Sequence, residues 1–110
     1  MIEESKMEEN KILLPIGSIV KVKGVEVKVM ITSYGVSTRL NPNEIWDYGG
    51  CMYPIGTLSN KTTIKFDSYQ ITDVFFIGYR NEKAMEYLKN LTLEIEGLKR
   101  VKKVIKNNGW

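Results

Sequence analysis

Histidine is absent from this chain and cysteine occurs once, at Cys51. These absences exclude histidine-based catalytic triads, His-rich or Cys-cluster zinc sites, and any internal disulfide. Proline occurs three times and glycine nine times in 110 residues, which excludes a collagen-like or low-complexity chain. Apolar runs are only a few residues long, so nothing reads as a bilayer span and no membrane insertion is expected. Glutamates stand where a secretory signal would carry positive charge, and no apolar stretch follows them. The lone thiol fits a reducing compartment, and the expected location is cytoplasmic.

The length is that of one domain with one modest core. Lysine and arginine number 16 against 13 acids, and the imbalance is local. Residues 1–10 carry Glu3, Glu4, Glu8 and Glu9 against Lys6; residues 99–110 carry Lys99, Arg100, Lys102, Lys103 and Lys106 with no acid. The chain is a nearly neutral body with an acidic head and a basic tail. Such a tail suits an acidic partner, nucleic acid or an anionic surface, but it also complements the dipole at a helix C-terminus.

Residues 1–11 lack periodicity and read as a flexible N-terminus; residues 12–110 read as a single α+β domain. Pro15 makes Leu14 extended. Ser18 to Lys23 alternates as a strand, Gly24 turns the chain, and Val25 to Thr32 returns with Val25, Val27, Val29 and Ile31 on one face. Ser33 to Asn43 reads as loop, with Gly35, Asn41, Pro42 and Asn43 as breakers. Glu44 to Tyr48 and Thr62 to Phe66 read as the third and fourth strands, and Gly49-Gly50 as a tight strand exit. Ile71 to Tyr79, the fifth strand, is apolar on both faces. It is either sandwiched between sheet and helix or presents Phe75 and Ile77 to a partner; the sandwich is the preferred reading.

Asn81 caps a helix of about residues 81–106. Its stripe is Ala84, Leu88, Leu91, Ile95, Leu98, Val101 and Ile105. At about 1.5 Å per residue it outruns a small barrel, so its second half should project from about Glu96. Ile95, Leu98, Val101 and Ile105 are then candidate partner-binding residues, and a homodimer through this helix is one way to cover them. The expected fold is a small, strongly curved antiparallel sheet or SH3-like barrel of about five strands with a long C-terminal helix.

Candidate chemistry is sparse. Glu26, Glu44, Asp47, Asp67 and Asp73 could supply a carboxylate pair, yet no spacing singles out two of them. Cys51 lacks a neighbouring base, so a buried structural thiol is expected. Gly49-Gly50 lacks the spacing of a phosphate-binding loop. Trp46, Tyr48, Tyr53, Phe75 and Tyr79 could stack single-stranded bases, but the strand region is nearly neutral. The reading is a non-enzymatic binding module with no catalytic, metal or cofactor site, and nucleic acid is the weaker partner.

Several segments resemble a known family: residues 13–20 (LLPIGSIV), Met30-Ile31, then Trp46-Asp47-Tyr48-Gly49-Gly50-Cys51-Met52-Tyr53-Pro54-Ile55-Gly56, then Phe66 and Ile71 to Gly78-Tyr79. Together they look like domain of unknown function family 4176. The resemblance covers about residues 12–92, and its most specific part is D-Y-x-G-C-x-Y-P-x-G. Members are small bacterial proteins encoded beside type VII secretion genes and their LXG-type toxins. The resemblance implies a cytoplasmic chaperone, targeting or accessory role for such a toxin, with the toxin or another secretion component as protein partner. An immunity protein that neutralises a toxin is the alternative. No catalytic residue is carried over, and the motif residues Asp47, Tyr48, Gly49, Gly50, Cys51, Tyr53, Pro54, Gly56, Gly78 and Tyr79 are expected to hold the fold.

Overall fold

The computed structural model describes residues 12–37 and 43–107, with side chains as far as Val101 and that of Asn60 excepted. The expected flexible terminus 1–11, the breakers Asn41-Pro42 and the side chain of Ile105 lie outside the described residues.

Among the described residues, five strands form one antiparallel sheet: β1 (Ile19–Val22), β2 (Val29–Val36), β3 (Trp46–Met52), β4 (Ile64–Phe66) and β5 (Ile71–Phe76). Their order is β4-β3-β2-β1-β5. The first four make a meander, and the fifth returns to pair with the first. The link from β4 to β5 is only residues 67–70, a 3-10 turn over Ser68–Gln70. Five strands laid flat span about 19 Å between their outer members. A link this short, tightened by a 3-10 turn, falls short of that distance, so the sheet curls. It does not close: β4 and β5 remain separate edges. The curved open sheet is therefore the form adopted, and the closed barrel is not.

Local chemistry explains the end of β1. The Val25 N–H donates to the Val22 carbonyl at 3.0 Å, with Gly24 at φ +84°. That is a tight turn in which position three needs positive φ. The chain then stays irregular to Lys28, so β2 begins later than the valine alternation predicts. Val29 and Ile31 are buried, whereas Val27 lies in the exposed connection. β2 also runs on through Gly35, which was expected to break it; the positive φ of Gly35 is accommodated within the strand.

The helix α1 spans Glu82–Asn107. Asn81 caps it as expected: the Ala84 N–H donates to Asn81 Oδ1 at 2.9 Å. Leu88 and Ile95 enter one cluster with Leu13, Val20, Val22, Val29, Ile31, Tyr48 and Phe66. Burying each such side chain stabilises the fold by about 1.5–3 kcal/mol. The entry segment Ile12–Pro15 lies against α1, where the Leu13 N–H donates to Thr92 Oγ1 at 3.1 Å. Thr92 in turn donates to the Leu88 carbonyl at 2.6 Å, so this buried hydroxyl is satisfied from both sides.

Candidate interaction surface

Of the motif residues, Asp47, Tyr48, Gly49, Gly50, Cys51 and Gly78 sit in tightly packed or hydrogen-bonded places, whereas Tyr53, Pro54 and Tyr79 are exposed and Gly56 borders open space. Tyr34, Tyr48 and Phe66 stand opposite one another on β2, β3 and β4. Their ring centroids are 5.9 Å and 5.3 Å apart, a cross-strand aromatic ladder. Both tyrosines grip one residue of the entry segment, Leu14, through the two peptide units that flank it. The Leu14 N–H donates to Tyr48 Oη at 2.9 Å, and Tyr34 Oη donates to the Leu14 carbonyl. Burial pushes both phenols above their ordinary range, which keeps the hydroxyls neutral.

Gly49 and Gly50 lie inside β3 and are not the strand exit expected from the sequence. A Cβ on Gly50 would lie 2.6 Å from the Met30 carbonyl oxygen, and one on Gly49 would lie 2.8 Å from Val36 Cγ2. Close approach of β2 is why only glycine fits. Gly78 is held in the same way: its N–H donates to the buried Ser18 Oγ at 2.9 Å, with the Ile16 backbone packed against its Cα. Cys51 is buried and free. Tyr53-Pro54 is a cis pair in the turn that Met52 and Gly56 close.

A charge cluster fastens the helix to the sheet. Lys99 Nζ lies 2.7 Å from Asp47 Oδ1 and 2.7 Å from Asp67 Oδ1. The Asp47 N–H donates to Asp67 Oδ1, and the Ser68 N–H to Asp47 Oδ2. Burial pulls Lys99 down, but the hydrogen bonds and charges of the two aspartates outweigh it and hold it above its ordinary value. Of the five candidate carboxylates, these two are brought together, with a cation bridging them. Among the described residues, no group of three or more histidine, cysteine or acidic side chains could hold a metal ion. No described helix is long and apolar enough to cross a membrane.

Among the described residues, four consecutive apolar side chains stand exposed on β5 and its exit, Val74 to Ile77. The sandwich expected for this strand is not formed, because α1 packs over the centre of the sheet and β5 stands at the rim. Phe75 and Phe76 are 52% and 58% exposed, Val74 and Ile77 nearly as much, and Tyr79 is 84% exposed. Ile16, whose backbone packs on Gly78, is exposed as well. Lys28 Nζ lies 4.9 Å from the Phe75 ring centroid, within cation–π reach. A cavity of about 580 Å³ lies along the strand, between Val74, Ile77 and the start of α1 at Met85. On the helix, Ile95 is only 3% exposed and is spent on the chain's own core, whereas Leu98 and Val101 are open. The stripe turns outward only after the Ile95 turn, one step later than its spacing suggested.

One family profile, Domain of unknown function (DUF4176), matches residues 13–87. The chain belongs to this family. No curated protein and no solved structure matches it. The DUF4176 match spans the whole sheet, the aromatic ladder, all three tightly packed glycines and the entire exposed length of β5.

Proposed function

We propose that this DUF4176 protein is a non-enzymatic binding module that holds another protein through the β5 surface. The observation that carries the reading is the run of exposed apolar side chains from Val74 to Ile77 at a sheet edge. A run of exposed apolar side chains on both faces of an edge strand fits a partner better than it fits solvent. The motif side chains of β3 support the reading from the other direction, since Asp47, Tyr48 and Cys51 are committed to packing, ion pairing and backbone contacts. The partner we propose is a secreted LXG-type toxin of a type VII system, bound in the cytoplasm before export, with this chain as chaperone or targeting factor. That choice rests on the family resemblance.

Co-expression with an LXG protein encoded beside this chain's gene tests it. A stable complex should co-purify, and Phe75→Ser with Phe76→Ser should release the toxin. If the two chains never associate, even when translated together, the proposal fails. Truncating the toxin separates a targeting role from immunity: retention of the LXG half supports the first, and retention of only the toxic half replaces it with the second.

A further inference from the structure

We infer that β5 receives an extended segment of its partner as a sixth strand, with a carboxylate of that segment placed beside Lys28. The inference rests on the reading of β5 as a binding surface and specifies what lies on it. Among the described residues, β5 is the last strand on its side of the sheet, and its outer N–H and C=O groups have no ladder partner there. An incoming strand satisfies that row of donors and acceptors; a helix does not. The side chains agree. Val74 and Ile77 border the 580 Å³ cavity, beside Leu14 and Met85, while Phe75 and Phe76 are open to solvent. Alternate side chains of an added strand would fill the cavity on one side and cover the phenylalanines on the other.

Charge selects the kind of strand. Lys21, Lys23, Lys28 and Arg80 lie on or near β5 and its neighbour β1, against Glu26 and Asp73. Asp73 stands opposite Lys21 in the ladder. Lys23, Lys28 and Arg80 make no salt bridge among the described residues. The surroundings are net positive, which favours an acid-bearing strand and opposes a second copy of this chain, whose β5 would bring the same cations. The β1–β5 ladder also shifts register twice, between Ile19 and Val20 and between Lys21 and Val22. The extra residues, Thr72 and Phe75, lie on β5, and such bulges blunt long, flat pairing and limit an added strand to a short ladder.

The test uses the full chain, immobilised, and a phage-displayed random library of peptides about ten residues long, near the length of an ordinary strand. The expected winners alternate apolar side chains and carry Asp or Glu. They should slow amide hydrogen exchange at Thr72 to Ile77, bind Lys28→Glu about fivefold or more weakly, and lose measurable binding to Phe76→Asp. Lys28 is exposed, so its variant keeps the fold whatever becomes of Phe76→Asp. Failure to enrich any peptide overturns the inference, as do winners that protect α1 in place of β5 or that ignore Lys28→Glu. A toxin that co-purifies without slowing exchange at β5 also overturns it and leaves the binding reading intact. Strand-like winners with no toxin complex would uphold it and remove the secretion role.

Discussion

Replacing Gly78 by alanine tests whether the family's glycines serve packing. The φ of Gly78 lies outside the left-handed region, so its backbone accepts alanine and space alone decides. The new Cβ would lie 3.0 Å from both the Ile16 carbonyl carbon and the Ser18 nitrogen, and closer still to the Ile16 oxygen. All three are backbone atoms. Their segment is anchored by Gly17 N–H to the Ile31 carbonyl at 2.9 Å and Ser18 N–H to the Pro15 carbonyl at 3.2 Å. Relief requires β5's exit to move away, which stretches the buried bond from Gly78 to Ser18 Oγ. Overpacking costs about 1–3 kcal/mol and the weakened bond about 1 kcal/mol, so the sum is roughly 2–4 kcal/mol. In a domain this size that lowers Tm by about 10–20 °C. Gly97→Ala is the control. Nothing lies within 4 Å of a Cβ there, and in a helix interior the change should stabilise by about 0.5–1 kcal/mol. Thermal and urea melts followed by circular dichroism read both. A Gly78→Ala protein melting within about 2 °C of the parent would refute the packing argument.

Tyr48→Phe removes the acceptor of the Leu14 N–H from a site 2% exposed. It should cost about 1–3 kcal/mol in urea denaturation, and a loss below about 0.5 kcal/mol would mean water replaces the hydroxyl. Alkali should also unfold the protein. Tyr34 and Tyr48 stand above 10.0, and Lys99 above 10.5, so each holds its proton more tightly folded than unfolded. Their stabilisation is full below about pH 10 and is lost as pH rises through the folded values. Urea midpoints should fall in that range, and Tyr34→Phe should flatten the fall; a midpoint indifferent to strong alkali contradicts the assignment.

Much of this fold can be read from local pattern. The helix follows from a stripe of spacing three and four behind an asparagine cap, and β1 from simple alternation. The start of β2 cannot, because Val25 and Val27 alternate like strand residues while the Gly24 turn holds them in a connection. Gly49-Gly50 misleads for a related reason: glycine pairs usually end strands, and only the approach of β2 shows why these two lie inside one. β5 misleads most. Apolar residues on both faces ordinarily signal burial, but burial depends on what lies beside the strand, and here α1 covers the middle of the sheet. The Lys99 bridge joins residues 52 and 32 positions apart and has no local signature.

That bridge bears on where the domain ends. The family match stops at Tyr87, yet Leu88, Thr92 and Ile95 supply core contacts, and Lys99 reaches back to a motif aspartate. A chain cut at the edge of the match would leave Leu13 and Tyr48 facing water and Asp47 without its cation. The recurring unit is thus smaller than the cooperative one, and a protein trimmed to the former should be the first suspected when a preparation aggregates.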